Sequence, residues 1–188
     1  MQMILEHISN MDRAIMYAVQ SAGPAWRSAA YFISHGIGSY PIMLGVLAAA
    51  LLMIEKRRIA FETVIIAIVS FGVLSVLKHY FHIDRPYVID PRVIAYDHDD
   101  SFALPSGHAL MSVVILGWVA LRHPKSHTVW WGAAFLALVI GWSRVYLGVH
   151  YPSQVIAGWI VGILILYVSH ALSKRLWAPF KKQLDKKK

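Results

Sequence analysis

The chain has 188 residues, of which 57% are hydrophobic and only 15% charged. Soluble domains carry roughly a quarter charged residues, so this balance describes an integral membrane protein rather than a soluble one. There is no cysteine, which excludes a disulfide framework, a zinc–thiolate site and a cysteine nucleophile. The net charge is +8, yet the basic residues gather at the ends of apolar runs, which argues against a nucleic-acid partner.

From the amino end, Met3, Ile4, Ile8, Met11 and Ile15 recur at helical spacing with a polar opposite face. This reads as a helix lying along the membrane surface rather than a span. Glu6 and Asp12 interrupt any basic-then-apolar leader, so no cleaved signal peptide is expected. Gly23 and Pro24 end this helix, and a short one follows to about Gly36 and Gly38. Residues 14–36 are left open between an interfacial segment and a sixth span. Five spans are then expected at about 38–54, 59–78, 106–122, 128–145 and 153–173, each near the ~20 residues that cross a bilayer. Trp130, Trp131, Trp142 and Trp159 fall near their ends, as interfacial aromatics do.

The expected architecture is all-α: one membrane-embedded helical bundle over residues 1–188. It has N-terminal helices in 1–36, an outward-facing loop at 79–105 and a basic tail at 174–188. Because successive spans alternate direction, 12 of the 18 Lys and Arg fall on one side, among them Lys56, Arg57, Arg58, Arg122, Lys125, Lys174 and the tail lysines. Lys and Arg are retained on the cytoplasmic side, which places the C-terminus there and the 79–105 loop outside or in the periplasm of an inner membrane.

Three clusters share that outward side. They are Lys78 with Arg85, in KHYFHIDRP; Pro105–His108, reading PSGH, at the start of a span; and Arg144 with His150, in SRVYLGVHYPSQ. Ionisable groups where apolar spans break are functional candidates, because burying an unpaired charge in a membrane is costly. The chemistry that suits them is phosphoryl transfer. Lys78, Arg85 and Arg144 offer positive charge to phosphate oxygens, arginine with a planar fork of donors. Ser106 and Gly107 open a helix, where free backbone N–H groups bind anions. His150 is assigned as the nucleophile, giving a phosphohistidine, and His108 as the general acid and then base.

Lys-x6-Arg-Pro, Pro-Ser-Gly-His and Ser-Arg-x5-His resemble the three signature motifs of the type-2 phosphatidic acid phosphatase superfamily, over residues 78–154. The resemblance implies a six-helix membrane core, metal-independent phosphatase activity without a cofactor, and lipid phosphate or pyrophosphate substrates. Undecaprenyl pyrophosphate, phosphatidylglycerol phosphate, phosphatidic acid and a lipid A phosphate are candidates. One position departs from the pattern: Gln154 stands where the family usually has Asp. That Asp accepts a hydrogen bond from the second ring nitrogen of the nucleophile. A glutamine carbonyl can still accept it and orient His150, but without a full charge. Two rival readings use the same residues: a phosphotransferase between lipids, and a non-catalytic protein that binds anionic lipid.

The remaining polar residues read as ordinary. His79, His82, His98, His123 and His127 are expected in solvated loops, and His35 and His170 at the interface. Arg92 and the aspartates of DHDD at 97–100 read as a solvated loop rather than a metal site.

Overall fold

A computed structural model describes residues 2–53 and 57–185. Lys56 and Lys186, Lys187 and Lys188 of the basic set lie outside the described residues. Among the described residues all regular structure is helical, without a strand. The elements are α1 (Gln2–Gln20), a broken helical stretch over 24–37 that includes α2 (Arg27–Tyr31) and a π-helical turn (Phe32–Ile37), then α3 (Tyr40–Met53), α4 (Arg57–Phe81), the single turn α5 (Pro86–Ile89), α6 (Gly107–Arg122), α7 (His127–Tyr146) and α8 (Pro152–Asp185).

Helix α6 is the hub. It packs against α8, α7 and α4, and it buries Leu110, Met111, Val114, Ile115 and Trp118. Around it the pattern of a soluble protein is inverted. Phe61, Ile68 and Val76 on α4, Phe135 and Leu138 on α7, and Ile160 and Leu164 on α8 are all exposed. Apolar surface on this scale would be unstable in water and fits contact with lipid. The closest helix approach is α6 on α8. A Cβ on Gly158 would lie 2.6 Å from the Ser106 carbonyl oxygen, and one on Gly162 would lie 2.8 Å from that of Leu110. This four-residue glycine spacing lets two membrane helices meet backbone to backbone.

Among the described residues three helical segments are long and apolar enough to cross a membrane: Ile59–Ile89, His127–Tyr146 and Pro152–Arg175. The pair Pro24–Ile37 and Pro41–Ala49, bent by 48°, would make a fourth. The expected span at 106–122 is a 16-residue helix, about 24 Å long. That is short of a roughly 30 Å hydrocarbon core, and α6 is enclosed by its neighbours instead. The expected span at 38–54 is likewise a 14-residue helix, part of the bent pair. Four of the five expected helices begin and end within about three residues of those observed, the last continues from Pro152 to Asp185, and among the described residues length and composition support three or four full crossings.

Helix α1 faces the opposite way from a soluble amphipathic helix. Ile8, Met11 and Ile15 point outward, while Asp12, Met16 and Gln20 are buried at four-residue intervals. The Asp12 carboxylate accepts hydrogen bonds from the backbone N–H (2.8 Å) and the hydroxyl of Ser153, in the first turn of α8. A negative charge at a helix N-terminus is favourable and satisfies a donor that the helix itself leaves free.

Candidate active site

The site sits where α4 and α7 end and α6 and α8 begin. Lys78 lies in the last turn of α4, Arg85 caps α5, and Ser106 caps α6 with Gly107 and His108 as its first residues. Arg144 lies in the last turn of α7, and His150 in the turn that joins α7 to α8. Gly148 makes this turn possible. Its φ is +80°, and a Cβ there would come within 2.3 Å of the Ile94 carbonyl oxygen. The turn and the loop 90–104 are therefore pressed together. Tyr96 N–H donates to the Leu147 carbonyl at 3.1 Å. Gln20 of α1 bonds both backbone groups of Ile94 and the Tyr146 carbonyl.

Arg85 is the centre of the constellation. Its Nη1 donates to His150 Nε2 at 2.7 Å and to the Val149 carbonyl at 3.0 Å. A guanidinium has only donors, so His150 Nε2 carries a lone pair and the ring proton is on Nδ1. Burial, then the charges of Arg85 and Arg144, hold the His150 pKa well below the ordinary histidine value. The imidazole is thus neutral, with its lone pair on the nitrogen that faces the cations. That is the state a nucleophile requires.

Arg85 also reaches the loop 90–104. Nε donates to the Ser101 carbonyl at 2.7 Å, and Nη2 lies 2.9 Å from Ser101 Oγ and 2.8 Å from Asp99 Oδ2. Lys78 Nζ donates to Ser101 Oγ at 2.7 Å and to the Phe102 carbonyl. Arg144, almost fully buried, donates to Ser34 Oγ and to Asp97 Oδ2 at 3.4 Å, with Nη2 3.8 Å from Asp99 Oδ2. Asp97 in turn holds His35 Nε2 at 2.8 Å, and the His35 ring stands edge-on to His108 with 6.3 Å between centroids. The aspartates at 97 and 99 are therefore ion-paired inside the site, not merely solvated as expected. Arg92 pairs outside it, with Asp90 at 3.0 Å. Burial opposes ionisation of Asp99, but Arg85 and the Ser101 hydrogen bonds outweigh it and hold its pKa at about 2.

A cavity of about 400 Å³ opens onto this cluster. Lys78, Asp99, His108 and His150 line its charged end, and Phe71 and Leu74 of α4 line an apolar flank. Phe71 is half exposed on the outer surface of the bundle. The cavity thus leads from a cationic pocket to a lipid-facing helix, a shape suited to an anionic headgroup carrying an apolar tail.

Gln154 does not bond to His150. Its side-chain carbonyl accepts the Tyr151 N–H at 3.0 Å, the back-reaching half of a capping box at the start of α8, and its backbone carbonyl accepts the Ser106 N–H at 3.1 Å. His150 Nδ1 has no hydrogen-bond partner among the described residues. The expected bond is missing because the amide is engaged in the turn that carries the histidine. Ser106 Oγ and Arg144 Nε are also buried without partners. Among the described residues no group of three or more His, Asp or Glu is placed to hold a metal ion.

Sequence reasoning missed Asp12, Gln20, Ser34, His35, Asp97, Asp99 and Ser101 as parts of the site or its support. The available signal was electrostatic. Three cations brought to one face and buried need counter-ions, and the DHDD loop on that same side held them.

An all-helical, lipid-exposed bundle with paired histidines among arginines and a lysine defines the class: a membrane protein built for phosphoryl chemistry. Residues 60–178 match the model of the PAP2 superfamily, and the chain belongs to that family and is a membrane phosphatase. It is 30% identical over 165 residues to an Escherichia coli (strain K12) protein named as a candidate undecaprenyl-diphosphatase, YbjG, covering 86% of this chain and 80% of that one. It is 31% identical over 129 residues to an undecaprenyl-diphosphatase of Sulfolobus acidocaldarius, covering 68% and 62%. The crystal structure of a transmembrane PAP2-type phosphatidylglycerolphosphate phosphatase from Bacillus subtilis shares the fold. Its TM-score is 0.75 at 22% identity, over 90% of this chain and 87% of that one.

Proposed function

We propose that the protein hydrolyses a polyprenyl diphosphate or a related lipid phosphate through a phosphohistidine, without a metal. The single observation that carries this reading is the neutral His150 Nε2, 2.7 Å from Arg85 and lining a cavity that runs from cations to lipid. The names of the two relatives favour a diphosphate over a phospholipid monoester.

In the proposed reaction, the terminal phosphate enters between Lys78, Arg85, Arg144 and the N-terminus of α6, with Ser106 Oγ as a further donor. The His150 Nε2 lone pair forms a bond to phosphorus while the bond to the leaving oxygen breaks. Burial and the Arg144 charge hold the His108 pKa well below the ordinary value, so His108 takes up its proton together with the anionic substrate, whose charge offsets them, and then gives that proton to the leaving oxygen, releasing the lipid monophosphate. Water then attacks the phosphohistidine, the P–N bond breaks, and His108 takes the water proton. Arg85 swings from His150 to the phosphate, which frees the lone pair. Gln154 acts at one remove, by fixing the turn that aims the imidazole. Stabilising charge on the transferring group is worth several kcal/mol in such sites.

The same reading treats residues 1–188 as one catalytic domain of a multi-pass cell-membrane protein whose site faces outward. Arg122, Lys174 and Arg175 lie toward the ends of α6 and α8 opposite the site, which supports a cytoplasmic C-terminus. The test is phosphate release by purified protein in detergent with chelator, from undecaprenyl diphosphate, phosphatidylglycerol phosphate and phosphatidic acid. Vanadate should inhibit. His150→Ala should lose about 10³-fold or more and trap no acid-labile phosphoenzyme; wild-type turnover by that variant would sink the reading.

A further inference from the structure

The anion site is already partly occupied by the protein itself. Asp99 Oδ2 is 2.8 Å from Arg85 Nη2 and 3.8 Å from Arg144 Nη2, so one carboxylate oxygen bridges two of the three cations assigned to the phosphate. The other oxygen faces away. Oδ1 accepts the Ser101 N–H at 3.0 Å and the Ser101 hydroxyl at 2.7 Å. That hydroxyl is the acceptor shared by Lys78 and Arg85, so it ties all three groups together. Asp99 also lines the cavity beside His108 and His150.

We propose that Asp99 is an internal competitor for the phosphate site, displaced by the substrate phosphate and returning to the arginines as inorganic phosphate leaves. This rests on the reading of the site as a phosphate pocket. A carboxylate and a phosphate oxygen ask the same guanidinium for the same donors, so they cannot both hold Arg85 Nη2 in this geometry. A pocket with three unopposed cations would bind the released phosphate tightly and slow turnover. A tethered carboxylate lowers that affinity while keeping the arginines aimed when the site is empty. Only the Oδ2 half of the side chain competes, because the Oδ1 half is committed to the loop.

Asp99→Asn separates the two halves, since it can keep the Oδ1 acceptor for Ser101 and removes the charge from the arginine side. Titration of the purified proteins with inorganic phosphate and orthovanadate, followed by calorimetry, reads the outcome. The variant should bind both anions about five- to tenfold more tightly than wild type, the scale of a partly exposed ion pair. In turnover its KM and the inhibition constant for inorganic phosphate should fall together. Asp99→Ala, which also lacks the Ser101 bonds, should tighten anion binding in the same direction. Asp84→Asn removes an exposed charge at the start of the same outward loop that does not line the cavity, and should change affinity by less than about twofold. Equal or weaker binding by both Asp99 variants would overturn the proposal, as would an equal gain in Asp84→Asn. Failure of every protein to bind either anion would instead overturn the phosphate pocket itself.

Discussion

The two ends of the bundle solve the burial of charge in opposite ways. At the end away from the cavity, Glu62 of α4 pairs with Arg122 of α6, and Ser173 of α8 bonds to both. Arg122 also lies over the Trp118 ring, 4.2 Å from its centroid. Cation and anion meet directly, and the result is a clasp that joins three helices. At the other end, Arg85 and Arg144 pair with Asp97 and Asp99, Lys78 beside them bonds only neutral groups of Ser101 and Phe102, and a cavity lies alongside. Positive charge in excess of its counter-ions, next to open space, is a place for an anion. Matched charge without space is architecture. Buried arginine therefore does not by itself mark function in a membrane protein; the balance of its partners does.

The largest expected effect contrasts the two arginines. Arg144→Met should lower kcat/KM by about 10²–10³-fold, as loss of a transition-state donor does, and weaken vanadate binding. Arg122→Met should leave vanadate affinity within about twofold, because no group of the site touches it. Similar loss of anion binding in both would erase the distinction between the ends.

Stability should show the reverse. Glu62→Gln leaves a half-buried guanidinium without its counter-ion, a loss of about 1–3 kcal/mol, seen as a lower unfolding midpoint in detergent. The double change Glu62→Gln with Arg122→Met should recover most of it. Additive losses would mean that the clasp is not one interacting pair.

Gly148→Ala tests how the α7–α8 turn is held. The positive φ and the 2.3 Å approach to Ile94 should together cost about 1–3 kcal/mol. Because that turn aims His150, activity should fall further than the unfolding midpoint alone would explain. A stable variant with full activity would show that the loop 90–104 can yield without moving the histidine.

The smallest effect concerns pH. The His150 pKa is depressed in the folded chain, so on acidification the unfolded chain binds a proton that the folded one resists. The stability linked to His150 is complete above the unfolded histidine value near 6.5 and is lost as pH falls below it. Between pH 7 and pH 5 the midpoint of His150→Gln should fall less than that of wild type. An equal fall would place the titration elsewhere.

Lys78, Arg85, Ser106, Gly107, His108, Arg144 and His150 were legible in the chain because each sits at the break of an apolar run, where local chemistry stands out against a hydrophobic background. Counting spans put them on one side. The count of crossings was less secure, since α6 reads as a span by composition but is enclosed by protein; burial by neighbouring helices and burial by lipid demand the same apolar residues. Gln154 was found at the right place with the wrong bond. Its position three residues after Tyr151 fits a capping box as well as it fits a partner for the imidazole, and spacing alone does not choose. Asp97 and Asp99 looked like loop acids because nothing in a polar segment reveals which charge it will meet.

The sequence by itself determined the membrane class, the helical architecture and which basic residues and histidines stand at the breaks between apolar runs. These follow from composition, period and motif spacing, which are local along the chain. Only the tertiary structure decided the rest: that α1 supplies Asp12 and Gln20, that Ser34 and Asp97 hold Arg144, and that Asp99 stands between Arg85 and Arg144. Those contacts join residues up to 141 positions apart. Their partners are chosen by how helices pack, through approaches such as Gly158 on Ser106, and helix packing is a property of surfaces that the linear order does not display.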